Sequence, residues 1–375
     1  MIDELARLAI ALVRADGIDR PLLVSAPLEA KVLVKAIQNI VPSARAFLHD
    51  PDSLYRGLLP SEEKAMLTKL KHQSLSVAKA MSEGAARITV LAPRPDLLHG
   101  VDSSRMAEVH NKIASIALQE STRPESINQI DLAIPFPTQA WADIIFQTRQ
   151  PTIRLNQLKR AMKVALRLNC NSPEMAWSER LEELNLRAQQ LRALKLRTLH
   201  LFGSGTDLLV KLPDSVNWPN GTDTWIDTLP IENVKIAIER GSADGYLTLN
   251  RPLLLAGGRV EGIRMRLSDG TVREIHAEHG EEVLRDLLRI ERTPCRLAFV
   301  SLLDGETPAK KALEAFLSNQ SPIGYCNPLL DRAAAHCLTF SAGPVDTPLF
   351  LDMFLADSSL RVEGTDLYGR SHLLL

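Results

Sequence analysis

The stretch RPLLVSAPLEAKVLVKAIQNIVPSARAFLHD, residues 20–50, decides the fold class of this chain. A short apolar run at 22–24 is followed by apolar residues at helical spacing from 28 to 41, and then by a second strand-length run at 44–48. Strand, helix and strand in that order predict a βαβ unit, whose two strands are parallel.

The same alternation continues through the first half of the chain. A helical pattern at 61–82 precedes ARITVLAP (86–93), and IDLAIPFP (130–137) has the length and composition of another strand. The segment NSPEMAWSERLEELNLRAQQLRALK (171–195) reads as one long helix with Pro173 in its first turn. We therefore predict that residues 1–195 form a mainly parallel α/β domain, which ends in this long bridging helix.

The pattern changes near residue 196. Strand-length runs separated by Gly, Asn and Asp turns replace the helical periods, with LSDG (267–270) and LAGG (255–258) as hairpin connections. The segment EEVLRDLLRI (281–290) has the spacing of an amphipathic helix. Residues 196–375 are therefore expected to form a β-rich α+β domain, and we expect this domain to carry the active-site cleft.

Composition excludes several classes of partner. Lys plus Arg (44) and Asp plus Glu (45) nearly cancel over 375 residues, so no net field attracts nucleic acid or an anionic membrane surface. The first helix-like stretch, residues 4–17, contains four charged residues, which argues against a membrane span or a signal peptide. The four cysteines form no Cys-x-x-Cys pair. We expect a cytoplasmic protein with reduced thiols and no nucleic-acid or membrane partner.

Three polar residues stand in apolar settings: Glu232 in DTLPIENVKI, His336 in LLDRAAAHCLTF and Asp352 in LFLDMFLADSSLRVEG. Carboxylates and an imidazole are metal ligands or acid–base groups in many hydrolases. Buried acids and histidines are more often structural groups that are satisfied by hydrogen bonds. On composition alone, the structural interpretation of these three residues is favoured.

Several longer stretches resemble one family, the thermophilic metallo-aminopeptidases of the aminopeptidase S and T type. LRALKLRTLHLFGSGTDLLVKLP (191–213) resembles its passage ending in G-P-G-T-D-L-x-V, and TLPIENV (228–234) resembles N-(I/L)-P-T-E-E-V. LLDRAAAHC (329–337) and LDMFLADSSLRVEG (351–364) are similar to two further motifs of the family. The resemblance covers nearly the whole chain. It implies the two domains predicted above, a homodimer, and a cleft for the amino end of a peptide.

The resemblance also implies a two-metal site, because members of this family hold two divalent ions with two glutamates, a lone histidine and a His-x-Asp pair. Glu232 falls on the first glutamate and Asp352 on the aspartate of the pair. The histidine of that pair falls on Phe350, and the second glutamate falls on Phe299. Phenylalanine cannot coordinate a metal ion, so the ligand set is incomplete.

The lone histidine of the family falls on Cys337, with His336 one position earlier. A shift of one residue within a strand turns the side chain to the other face of the sheet. We therefore expect Phe299, Cys337 and Phe350 to line the cleft at lost ligand positions, and Glu232, His336 and Asp352 to be the remaining catalytic candidates. No cofactor is expected, and the alternative is a single divalent ion held weakly by those three residues.

Three functions remain open. The first is an enzyme that acts on an amino-acid- or dipeptide-like small molecule by metal-free or single-metal chemistry in a specialised biosynthetic pathway. The second is a non-catalytic pseudopeptidase that serves as a binding or assembly partner. The third, ranked last on its ligand count, is an active metallo-aminopeptidase with a shifted ligand set. Because fold does not determine function, the geometry of the site is needed to distinguish these three functions.

Overall fold

A four-stranded parallel sheet forms the first half of the protein, in the order β2-β1-β3-β4. Its strands are β1 (Leu22–Pro27), β2 (Arg45–His49), β3 (Ala86–Leu91) and β4 (Asp131–Pro135). The opening stretch of the sequence supplies β1, the helix after it and β2, and β1 pairs in parallel with both β2 and β3. The predicted βαβ arrangement is confirmed.

The computed structural model describes residues 1–14, 17–50, 61–94, 102, 104–105, 108, 112, 130–146, 150–203, 205–214, 228–249, 251–255, 258–288, 294–303, 305, 310, 335–342, 349–355 and 359–374. Within these residues, six α-helices accompany the parallel sheet and the linker that follows it. They are α1 (Ile2–Val13), α2 (Lys31–Ile40, after a 3₁₀ turn at Leu28–Ala30), α3 (Glu63–Ser82), α4 (Gln139–Ile145), α5 (Pro151–Ala165) and α6 (Pro173–Ala193).

The starts of the later helices follow from local chemistry. Pro151 and Pro173 stand in the first turns of α5 and α6, where a missing N–H is harmless. Thr138 caps α4, because its Oγ1 accepts a hydrogen bond of 3.1 Å from the Trp141 N–H. No helix within the described ranges combines the length and the apolar character that a membrane crossing requires.

An antiparallel sheet of eleven described strands forms the second half, in the order β15-β14-β13-β12-β11-β8-β6-β5-β16-β17, with β7 paired to β13. The strands are β5 (Leu196–Gly203), β6 (Thr206–Lys211), β7 (Asn233–Ala237), β8 (Asp244–Leu249), β11 (Ile263–Ser268), β12 (Thr271–His276), β13 (Arg296–Leu303), β14 (His336–Ala342), β15 (Leu349–Leu355), β16 (Arg361–Asp366) and β17 (Ser371–Leu373). The expectation of a β-rich second half is confirmed.

The predicted local signals of this half also appear. Asp269 and Gly270 join β11 to β12 with φ of 51° and 68°, the left-handed pair that a tight hairpin requires. Strands β9 (Leu253–Leu255) and β10 (Gly258–Val260) form a separate antiparallel pair, and α7 covers Glu281–Leu288. The hairpin at Asp269 and Gly270, the pairing of β9 with β10 and the helix over 281–288 are therefore present, and residues 256–257 and 289–290 of the two predicted segments lie outside the described residues.

Two hydrophobic cores lie on either side of α6. The helix contributes Trp177 and Leu181 to the core under the parallel sheet, and Leu184 and Leu191 to the core of the antiparallel sheet. The chain crosses between the two sheets once more just before β7. There the Leu229 N–H donates a hydrogen bond of 2.9 Å to the Ala133 carbonyl of β4, and Asn233 then starts β7. Residues 230–232 are thus placed at the junction of the two halves.

Candidate functional site

Strands β7, β13, β14 and β15 lie side by side and place several of the predicted site residues on one face of the sheet. Phe299 is opposite Thr339 in the β13–β14 pair, and Thr339 is opposite Asp352 in the β14–β15 pair. Residues directly opposite one another in antiparallel strands point to the same side of the sheet. Phe299, Thr339 and Asp352 therefore form one row across three adjacent strands.

A second row runs beside the first. Ser301 is opposite both Lys235 on β7 and Cys337 on β14, and it lies two residues from Phe299 on the same strand. Because side chains alternate along a strand, Lys235, Ser301 and Cys337 point to the same side as the first row. We call this surface, defined by Lys235, Phe299, Ser301, Cys337, Thr339 and Asp352, the Asp352 face. Phe350 occupies the backbone register position opposite Ser341.

Asp352 is half-buried and is held by a neighbouring hydroxyl group. The Oγ1 atom of Thr339 donates a hydrogen bond of 2.7 Å to Asp352 Oδ1. Thr339 itself is buried, with 3% of its surface exposed. A hydrogen bond from a hydroxyl to an ionised carboxylate is stronger than one between neutral groups, so the Asp352 carboxylate has a fixed orientation on this face.

Lys235 brings a positive charge to the same face. Its Nζ atom lies 4.2 Å from the centroid of the Phe299 ring, in a cation–π contact. Sequence reasoning did not select Lys235, although its place two residues from Asn233 in an alternating strand is the signal that would have found it. The resemblance assigns position 299 to a metal-binding glutamate. At this position the structure has the Phe299 ring, with the Lys235 ammonium group against its face.

Glu232 is found in a different environment, among arginines. It is fully buried, with 0% of its surface exposed. Its Oε1 is 2.6 Å from Arg167 Nη2, and its Oε2 is 2.6 Å from Arg180 Nε. We call these three residues the Glu232 cluster. Both carboxylate oxygens are therefore engaged by guanidinium groups, in short charge-assisted hydrogen bonds.

The two arginines are held by groups around them, Arg180 on α6 and Arg167 in the turn just after α5. Arg180 lies on the buried side of α6 with Trp177, three residues earlier, and also bonds the exposed Glu183 at 3.0 Å. The guanidinium of Arg167 lies over the Trp177 ring, 5.2 Å from the ring centroid, and the Trp177 Nε1–H donates to the Leu166 carbonyl at 2.9 Å. Sequence reasoning missed both arginines, although the spacing of Trp177 and Arg180 on one helix face was a usable signal.

The register of β7 separates Glu232 from the Asp352 face. Asn233 is opposite Leu303, so Asn233 and Lys235 share the side of the sheet that carries Ser301 and Phe299. Glu232 precedes the strand, and its side chain reaches the arginines of the helical half. The structure brings Phe299, Cys337 and Asp352 together, and it places Glu232 in the separate cluster at the junction of the two halves.

His336 and Cys337, the first two residues of β14, point to opposite sides of the sheet. Cys337 is buried on the Asp352 face, opposite Ser301. His336 Nδ1 accepts a hydrogen bond of 3.0 Å from the Leu303 N–H. Burial, helped by the charge of Lys310, lowers the pKa of His336 to about 4. The imidazole is therefore neutral at pH 7, and it closes the backbone pairing at the end of β13.

Among the described residues, the donor groups of this region do not fit a pair of divalent metals. Phe299 offers no donor atom, and both oxygens of Glu232 are bonded to arginines. No group of three or more His, Cys, Asp or Glu side chains that could hold a metal ion occurs within the described ranges. Two-metal hydrolysis needs several such ligands around each ion. Of the described residues, the Asp352 face offers one carboxylate, one ammonium group, a buried thiol and the hydroxyl groups of Ser301 and Thr339.

Comparison with known proteins places this arrangement in context. The profile of the thermophilic metalloprotease family M29 matches residues 1–319. Aminopeptidase T of Thermus thermophilus is 32% identical over 63% of this chain, and the match spans 59% of that protein, less than two thirds of its length. Aminopeptidase 2 of Geobacillus stearothermophilus is 26% identical over 98% of this chain and 95% of its own length. The solved structure of wild-type AmpT from Thermus thermophilus superposes with a TM-score of 0.79 at 25% identity, covering 99% of this chain and 97% of that one.

Proposed function

The chain belongs to the thermophilic metalloprotease family M29, and on that premise we propose that it is an aminopeptidase-family protein with a degenerate two-metal site. It acts on an amino-acid- or dipeptide-like small molecule without paired metals, and it uses at most one divalent ion. This proposal rests on the row formed by Phe299, Thr339 and Asp352. In this row, Asp352 stands at the position of an aspartate ligand of the family, and Phe299 stands at the position of a glutamate ligand.

Asp352 is the residue to which we assign the chemistry of this site. Its carboxylate is oriented by the buried Thr339 hydroxyl and faces the same side as Lys235. A carboxylate in this position can bind the ammonium group of an amino acid or accept a proton from it. Glu232 and His336 have supporting roles, since the first forms ion pairs with two arginines and the second accepts a hydrogen bond from a backbone N–H.

A non-catalytic pseudopeptidase is the second candidate, and one observation favours it. Glu232 falls on a ligand position of the family, yet its two oxygens are bonded to Arg167 and Arg180. A carboxylate whose two oxygens are both bonded to guanidinium groups is not free to bind a metal ion or a substrate, and removing such a partner from a buried charge is costly. In this case the Asp352 face binds a small ligand and does not transform it.

Two wider features belong to the same proposal. We propose that the protein does not hydrolyse peptides in general and that it acts at one step of a specialised biosynthetic pathway. We place that step in the cytoplasm. We also propose a homodimer, as the family resemblance implies. Light scattering after gel filtration gives the mass directly, and a mass near 41.5 kDa, that of one chain, would contradict the dimer.

Metal retention tests the loss of the two-metal site. Purified protein is incubated with zinc, cobalt, manganese or iron(II), desalted and analysed for metal, with activity on leucine peptides measured in parallel. We expect one equivalent per chain or less, and no peptide hydrolysis that a chelator abolishes. Two equivalents with chelator-sensitive hydrolysis would overturn the proposal in favour of an ordinary metallo-aminopeptidase.

A matched pair of variants sharpens this test. Replacing Phe299→Glu and Phe350→His together returns the two family donors, and we expect metal retention to rise above that of the unaltered protein. Phe299→Leu with Phe350→Leu changes the same two positions without adding donors, and retention should stay at the original level. To separate an enzyme from a pseudopeptidase, turnover of dipeptides by the unaltered protein is compared with turnover by Asp352→Asn.

A further inference from the structure

We propose that Lys235 is an anion-recognition residue and that the ligand of the Asp352 face carries a free carboxylate, which the Lys235 ammonium group binds. This inference rests on the proposed function and names the chemical class of its ligand. The ligand is then a free amino acid or a dipeptide with an unblocked carboxyl end. Longer peptides and amidated compounds lack a carboxylate at that position.

The Lys235 ammonium group lies close to the row of residues that contains Asp352. Lys235 is on β7, yet its Nζ atom lies 4.2 Å from the centre of a ring on the neighbouring strand β13. The long side chain thus extends across the sheet over Phe299, in the row that leads to Asp352. The attraction between an ammonium group and the face of an aromatic ring favours this position of the charge.

Among the described residues, no carboxylate forms an ion pair with the Lys235 ammonium group. In that part of the chain, the ammonium group contacts the ring of Phe299. An ammonium group has three donors, and the face of an aromatic ring satisfies one side of it. Because Lys235 is half-buried, its remaining donors gain most from an acceptor that arrives with a ligand.

Lys235 and Asp352 place opposite charges at the two ends of one short row. Phe299 and Asp352 are two strands apart in that row, so their Cα atoms are separated by about 10 Å. The Lys235 ammonium group lies over the Phe299 ring, at the end of the row away from Asp352. A free amino acid or a dipeptide carries the complementary charges at its own two ends, an ammonium group and a carboxylate.

The experiment compares ligands that differ only in the charge of their carboxyl end. Binding of leucine and of a leucyl dipeptide to the full chain is measured by calorimetry, alongside leucinamide and the amidated dipeptide. We expect amidation to weaken binding at least tenfold. In Lys235→Met, the free acid should bind at least tenfold more weakly, and acid and amide should bind within about twofold of each other. Lys235→Arg keeps a cation and should keep the preference for the acid.

Lys211→Met is the matched control, because Lys211 is an exposed lysine at the end of β6 and its replacement removes the same charge. It should leave both affinities unchanged. Acid and amide that bind equally well to the unaltered protein would overturn the role of Lys235 and leave the proposed function standing. Absence of binding by all four compounds would overturn both. If Lys211→Met and Lys235→Met lost the same affinity for the free acid, the loss would be due to the change in net charge, and this result would also overturn the inference.

Discussion

The Glu232 cluster and the Asp352 face lie on either side of the start of β7, and their charged residues have opposite surroundings. Glu232 is fully buried and neutralised by two guanidinium groups. Lys235, three residues later, is half-buried and lies over an aromatic ring. The contrast teaches that two charged residues three positions apart can have opposite surroundings, one closed by guanidinium groups and the other beside an aromatic ring, where we propose that a ligand binds.

The energetic reason lies in desolvation. A carboxylate removed from water needs close partners of opposite charge, and breaking such a buried pair is far more costly than the pair is stabilising. A half-exposed ammonium group keeps part of its hydration, so its loss costs little. The comparison therefore predicts large stability effects at Glu232 and progressively smaller ones toward the Asp352 face.

The largest effect is expected for Glu232→Gln. The amide carries no negative charge, so Arg167 and Arg180 lose the carboxylate that both contact, and Arg180 retains the exposed Glu183 as an acidic partner. We expect the free energy of unfolding to fall by about 3 to 5 kcal/mol. Urea denaturation at pH 7, followed by circular dichroism, measures the loss.

Glu183→Gln is the control for this variant, since Glu183 bonds the same Arg180 from an exposed position, with 64% of its side chain accessible. Its removal should lower the stability by less than about 1 kcal/mol. Equal losses in the two variants would show that burial does not distinguish the Glu232 cluster, and the comparison above would fail.

The next effect in size depends on pH and concerns His336. Its pKa is lowered from 6.5 to about 4 in the folded protein, chiefly by burial. The unfolded chain therefore binds more protons below pH 6.5, so the stability from this residue is complete above pH 6.5 and is lost as the pH falls toward 4. We expect a loss of about 3 kcal/mol across this window.

His336→Asn isolates this contribution. The asparagine Oδ1 can accept the Leu303 N–H in place of Nδ1, but it does not titrate. Between pH 7 and pH 4, the free energy of unfolding should fall less in this variant than in the unaltered protein, and the difference should be about 3 kcal/mol. Identical slopes for the two proteins in urea titrations over this range would refute the assignment.

A smaller effect is expected for Asp352→Asn. It weakens the hydrogen bond of 2.7 Å from Thr339, and we expect a loss of about 1 to 2 kcal/mol in the free energy of unfolding. Thr339→Val removes the donor with a similar shape. The double variant should cost less than the sum of the two single ones, because both remove one interaction. Strict additivity would mean that the carboxylate and the hydroxyl do not act together.

Much of the fold was within reach of the sequence, because its signals are local. The βαβ unit at 20–50 and the hairpin at Asp269 and Gly270 depend on spacing and turn chemistry over a few residues, and both appear in the structure. The family resemblance supplied the rest of the architecture. Long, periodic segments and turn residues carry enough information to predict elements and their order.

The site was less accessible for a physical reason. Arg167 and Arg180 meet Glu232 across 65 and 52 residues, and no local period encodes such a meeting. Lys235 became visible only when the register of β7 against β13 was known, since a shift of one residue would turn it to the other face. Residue types at motif positions predicted which side chains belong to the site, and only the strand pairing shows which side chains share one face.

The smallest effect is expected for Lys235→Met, and its small size is what makes it informative. Methionine keeps an unbranched apolar stem over Phe299 while the ammonium group is lost, so the free energy of unfolding should change by less than about 1 kcal/mol. The same variant is expected to lose its preference for a free carboxylate. Lys235 would then affect the binding of a carboxylate and hardly affect the free energy of unfolding, whereas Glu232 is expected to affect mainly the free energy of unfolding. A loss above about 3 kcal/mol in urea denaturation would place Lys235 with Glu232, as a structural charge.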